Sequence, residues 1–105
     1  MPACLIMTTV GDEAAAESLA EFLVSARLAA CVHLMPIKSL YTWKGQLNRE
    51  RELLLLIKTR DELYATIESA IRSRHPYALP EIVKLPITAG LPEYLDLLAS
   101  GTRID

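Results

Sequence analysis

Apolar residues along this chain recur with two different periods, and the switches between them divide it into elements. Ala3 to Thr9 is a short, nearly continuous apolar run bounded by Gly11 and Asp12, the pattern of a buried strand. After it Ala16, Leu19, Ala20, Leu23 and Ala26 return at helical spacing. Asp12 suits the N-cap, Glu13 and Glu17 the positive end of the helix dipole, and Arg27 the other end. Ala30 to Lys44 reads as one long strand interrupted by Pro36, whose missing N–H places it at a sheet edge or a bulge. Lys44, Gly45 and Gln46 reverse the chain, and the aliphatic run Leu53 to Ile57 returns as a strand buried on both faces and hence central.

Thr59 and Glu62 have the spacing of a capping box, which opens a second helix with Leu63, Ile67 and Ile71 as its apolar stripe. His75-Pro76 stops that helix. Ile82 to Ile87 is a fourth strand, and Pro92 to Gly101 a short terminal helix carrying Tyr94, Leu95 and Leu98. The order βαββαβ plus a helix predicts an α+β, ferredoxin-like sandwich with both main helices on one sheet face and the first and third strands central. The second strand would run for roughly 50 Å against about 23 Å for the first, at the usual rise per residue. Part of the hairpin must therefore overhang, and an open edge bearing Tyr41 and Trp43 predicts burial against a neighbouring subunit.

Composition narrows the reading. The 105 residues are 51% hydrophobic and 23% charged, which suits one globular domain over residues 1–105 rather than a disordered chain. A net charge of −2 gives no broad positive field, which argues against a nucleic-acid partner. No apolar run approaches the ~20 residues that span a bilayer, and the N-terminus does not read as a signal peptide, so no membrane partner is expected. Two scattered cysteines, Cys4 and Cys31, suit a reducing compartment and predict a cytoplasmic protein. In the proposed strand order they lie two strands apart, about 9.6 Å, too far for a disulfide.

Six strings then carry a resemblance: Leu28 to Val32, Ser39 to Gly45, Ile57-Lys58-Thr59, His75-Pro76-Tyr77, Pro80-Glu81-Ile82 and Pro92 to Leu95. In this order over one short domain they resemble the CutA family of divalent-cation tolerance proteins. The resemblance implies a very stable homotrimer, structural kinship to the PII signalling proteins, and a non-catalytic role in tolerance of copper or other divalent cations. It also implies that the His75 to Glu81 segment takes part in metal binding, and that Met7 stands where some members carry a cysteine ligand.

The residues themselves offer a small pool of soft and borderline donors. His75 and Glu81 sit at a helix end and a strand start, joined by a proline-stiffened loop, although a helix-end histidine also serves as a cap. Met7 provides a thioether suited to Cu(I), or core filling. Cys31 and His33 alternate onto one face of a strand, with Met35 continuing it, so they could chelate or pack. Lys58, Lys84 and Arg74 could hold an anion or be solvated charge. No Cys-x-x-Cys or His-Glu-x-x-His spacing is present, and no nucleophile, base and orienting acid are recognisable, so an enzyme ranks last. Besides metal binding, a PII-like trimeric sensor or adaptor with a small-molecule ligand between subunits remains open. Against a nucleotide, the four glycines are dispersed and form no phosphate cradle.

Overall fold

A computed structural model describes residues 2–104. Its elements run β1 (Ala3–Val10), α1 (Glu13–Ser25), β2 (Cys31–Trp43), β3 (Gln46–Arg60), a single 3-10 turn at Asp61–Leu63, α2 (Tyr64–Arg74), β4 (Val83–Ile87) and α3 (Pro92–Ser100). All neighbouring strands are antiparallel in the order β2-β3-β1-β4, so the two most apolar strands are central, as expected.

Alternation along the strands sorts side chains between a helix-covered face and an open one. Ile6, Val10, Leu55 and Ile57 point to the covered face and pack with Leu19 and Leu23 of α1 and Ile67 and Ile71 of α2. The open face carries parallel rows across the register: Cys31, Lys58, Leu5 and Leu85 form one, and His33, Leu56, Met7 and Val83 the next. On this side Leu54 and Leu56 are only half-buried, and Met35, Val83 and Leu85 are exposed. The expectation of a third strand buried on both faces therefore holds only for its covered face, because α1 and α2 lie on the same side.

Several local features differ from the sequence reading for identifiable reasons. Pro36 opposes Leu53 in a ladder that runs unbroken from Cys31↔Lys58 to Trp43↔Gln46, so there is no bulge. On an edge strand a proline costs the ladder little, because its missing donor faces away from the partner. Thr59 is still inside β3 and fully buried, and its hydroxyl donates to the Leu28 carbonyl at 2.6 Å. The capping box is thus not formed, and a 3-10 turn leads into α2 instead. Arg27 lies beyond α1 with φ 59°, and its guanidinium donates to the Ser100 carbonyl at the end of α3 rather than to α1. Asp12 does cap α1, accepting from the Ala15 N–H at 3.0 Å. Lys44 and Gly45, both with positive φ, make the two-residue turn of the long hairpin.

β1 ends at Val10, opposite Leu53, so the hairpin from Ile37↔Glu52 to Trp43↔Gln46 has no third strand. It gives the chain extents of 44 × 25 × 21 Å and leaves Leu40, Tyr41, Trp43 and Leu47 exposed. The segment after α2 returns beneath its root and is tied there by two side chains. The His75 imidazole bonds through Nε2 to the Thr9 carbonyl at 2.7 Å, and the Tyr77 hydroxyl donates to Glu52 Oε2 at 2.8 Å. Gly11 makes room for the second contact, since a Cβ there would lie 2.6 Å from the Tyr77 hydroxyl.

Two outcomes follow for stability. Tyr77→Phe should cost about 2 kcal/mol in urea denaturation, because it leaves the buried Glu52 carboxylate without its hydroxyl donor. Gly11→Ala should lower stability in the same direction by pushing that hydroxyl off Glu52, and the two losses should not add in the double variant. Burial, with a smaller contribution from Asp61, pushes the Cys4 thiol up to about 11. The thiol is neutral in both states below about pH 9; from there to about pH 11 the unfolded chain releases its proton while the folded one retains it. Stability should therefore fall through that window by up to about 2 to 3 kcal/mol, and Cys4→Ala should lose less over the same range.

Candidate functional site

The open face of the sheet holds most of the candidate soft-metal donors. Cys31 begins β2 and His33 follows two residues on, so both project to that face, where Cys31 Sγ lies 3.6 Å from His33 Nε2. Met35 continues the row and is exposed. Met7 shares the face, but it and His33 flank Leu56 from opposite sides, which separates their backbones by about 9.6 Å. Cys4 projects to the covered face and is fully buried; both cysteines are free.

His75 and Glu81 are used differently. His75 is buried, and its Nδ1 accepts from the Tyr77 N–H at 3.0 Å while its other ring nitrogen meets the Thr9 carbonyl. An imidazole that accepts at Nδ1 carries its hydrogen on Nε2, so both nitrogens are committed to holding the loop against β1. His75 is also the C-cap of α2, its N–H bonding to the Ile71 carbonyl at 2.8 Å. Glu81 is exposed and lines a cleft beneath the overhanging hairpin. Among the described residues no group of three or more His, Cys, Asp or Glu side chains is arranged to hold a metal ion. The resident donors thus suit a soft or borderline ion at Cys31 and His33 only as two of its ligands.

The cleft itself, of about 960 Å³, was not visible in the strings of the sequence. Tyr41 and Trp43 from β2, Asn48, Glu50 and Glu52 from β3, and Tyr77 to Glu81 line it. Glu52 is only 8% exposed and forms no ion pair among the described residues. Burial and the bond to Glu52 push the Tyr77 hydroxyl well above the ordinary phenol range, and a hydrogen bond to Glu50 raises that of Tyr41. The Tyr77 phenol therefore acts as a proton donor to the Glu52 carboxylate. The signal was the alternation Asn48, Glu50, Glu52, which puts three polar side chains on one face of a strand.

The basic candidates are dispersed. Lys58 donates to the Tyr94 hydroxyl at 3.1 Å, Lys84 pairs with Asp61 at 2.7 Å, and Arg74 stacks on Phe22 at 3.5 Å. They form no common anion site. Among the described residues no helix is long and apolar enough to cross a membrane.

A sequence model of the CutA1 divalent ion tolerance protein family matches residues 4–100. The divalent-cation tolerance protein CutA of Thermus thermophilus is 42% identical over 99 residues, covering 93% of this chain and 96% of the relative. Several plant and vertebrate CutA proteins are longer, and the chain spans 50 to 59% of their length. Among solved structures, CutA1 from Oryza sativa is similar with a TM-score of 0.96 at 37% identity, covering all of this chain and 97% of that one. The Archaeoglobus fulgidus protein, described as a periplasmic divalent cation tolerance protein CutA, has a TM-score of 0.92 at 34% identity, covering 94% and 97%. With the strand order, the long hairpin and a family match over nearly the whole length in agreement, this chain belongs to the CutA1 divalent ion tolerance protein family.

Proposed function

We propose that this chain is a non-catalytic tolerance protein that binds copper or a related divalent cation and works as a homotrimer in the cytoplasm. The observation that carries the metal reading is the Cys31–His33 pair. Its donor separation of 3.6 Å is that of two ligands sharing one tetrahedral ion at the usual bond lengths of about 2.3 Å to sulfur and 2.05 Å to nitrogen. Thiolate and imidazole favour copper and zinc, and thiolate most of all Cu(I). In this reading the bound ion is sequestered rather than used in catalysis.

The trimer is supported by surface that one chain leaves unfinished. The open sheet face exposes Met35, Val83 and Leu85 beside half-buried Leu54 and Leu56, and the overhanging ribbon exposes Tyr41 and Trp43. An isolated two-stranded ribbon is marginal in water, and edges of this kind are ordinarily covered. A second subunit that covers the open face would also bring further donors toward Cys31 and His33, which supply too few alone. The two free cysteines favour a reducing compartment.

Competition titration with Cu(I) and Cu(II) tests the metal site. Cys31→Ser and His33→Ala should each weaken binding at least about tenfold, in line with the loss of one ligand. Glu81→Ala should leave it unchanged, and His75→Ala should lower stability more than affinity. Wild-type affinity in Cys31→Ser would sink the assignment. Native mass measurement at micromolar subunit concentration should give a trimer of the 11.7 kDa chain. Leu85→Glu, which puts a charge on the open face, should shift it toward monomer; a wild-type monomer would dismiss the assembly.

A further inference from the structure

Two rows of like charge stand on different parts of this chain, and neither is balanced within it. The first is on the overhanging ribbon. Alternation puts Lys38, Leu40, Arg49 and Arg51 on the ribbon face continuous with the helix-covered side of the sheet, opposite the face that bears Tyr41 and Trp43. Lys38 and Arg51 are directly opposed in the register, and Arg49 is the next residue of that face, across from Leu40. Like charges placed across a strand pair destabilise it. These three cations are exposed and form no ion pair among the described residues.

The second row lies on α1. Glu13, Glu17 and Glu21 recur every four residues, so they share one exposed helix face, where like charges at that spacing repel. Glu17 and Glu21, with Ser18, Phe22 and Ser25, line a shallow groove of about 540 Å³. Arg74 also lines it, but it stacks on Phe22 instead of pairing with either carboxylate.

The rows match in sign and in pitch. Arg49 and Arg51 are about 7 Å apart along the strand, and Glu17 and Glu21 about 6 Å apart along the helix. Exposed Leu40 and Leu47 accompany the cations, and exposed Val24 follows the carboxylates one turn on. Among the described residues no ion pair joins the rows within one chain, and the ribbon projects past the end of β1. A nucleic acid or an anionic membrane would compensate the cations and leave the carboxylate row as it is. A second copy compensates both.

We propose that the basic face of each ribbon lies along α1 of a second copy, with Lys38, Arg49 and Arg51 meeting its Glu17 and Glu21. Such a contact joins two different surfaces, so it runs head to tail and closes into a ring by rotation. It rests on the homotrimer proposed above and names surfaces through which its copies meet. The opposite ribbon face and the open sheet face stay free for apolar contacts.

Sedimentation of the full chain over a range of subunit concentrations reads the contact. Arg49→Glu with Arg51→Glu, and separately Glu17→Arg with Glu21→Arg, should each raise the concentration needed for assembly at least about tenfold, because each sets like charge against like. All four positions are exposed, and Glu13 is kept because a negative charge suits the first turn of a helix. The four substitutions combined restore opposite signs and should return assembly to near the wild-type concentration, which damage to the fold would not do. High salt should weaken the wild-type assembly. A wild-type trimer that both reversals leave intact overturns the inference while the trimer stands, and so does a combined variant that fails to reassemble. Wild-type binding to phosphatidylserine vesicles that the Arg49 and Arg51 reversals abolish, with the assembly unchanged, overturns it too by giving this face to a membrane. A wild-type chain that stays monomeric dismisses the trimer and this contact together.

Discussion

The unbroken antiparallel ladder between β2 and β3 is the constraint on which the rest of the molecule depends. Its inner half, from Cys31↔Lys58 to Pro36↔Leu53, belongs to the four-stranded sheet, and its outer half continues where β1 has already ended. One register therefore fixes two environments. In the inner half it sets which β2 residues share the open face with Leu56 and Met7. In the outer half it lines up Tyr41, Trp43, Glu50 and Glu52 over the loop that follows α2. A slip of one residue would exchange the faces of both groups at once.

The second organising fact is the one-sidedness of the helical layer. Because α1 and α2 cover the same face, the core is complete on that side, with Ile6, Leu55, Ile57, Leu63, Ile67 and Ile71 sealed from water. The opposite face is left apolar and only partly covered. This asymmetry explains why Cys4 and Cys31, similar in sequence context, have different chemistry. Cys4 faces the packed layer, where burial disfavours its thiolate, and Cys31 faces outward beside His33. The unfinished side and the unpaired ribbon end would both be relieved by the proposed association, so the fold and that assembly answer one physical problem.

The His75 to Glu81 segment illustrates how a short string can carry structural and chemical weight together. Its imidazole and its tyrosine hydroxyl are each directed at a fixed point on the sheet, Thr9 and Glu52, and Gly11 yields the space for the second. Those contacts position the loop that walls the cleft. A histidine read from sequence as a donor thus serves as an anchor, and the carboxylate it sits near in sequence opens onto the cleft instead.

By itself the sequence determined the element order, the central strands, the cap at Asp12, the first helical position at Pro92, and an overhanging hairpin, because each depends on local periodicity or on strand length. It also placed Cys31 and His33 on one face, since alternation along a strand is local geometry. Only the tertiary structure decided the remainder. Thr59 could cap a helix or bond a distant carbonyl, and the nearness of Leu28 settled it. Pro36 could bulge or lie flat, and its place on the edge strand settled that. His75 could ligate or anchor, and the bond its ring makes to the carbonyl of Thr9, 66 residues away in sequence, is one that only the folded chain brings within reach. Glu52 reads as one more charge in a polar strand until the returning loop buries it. In each case a side chain had two satisfactory local fates, and the choice lay with a partner that only the packing of distant segments brings within hydrogen-bond reach.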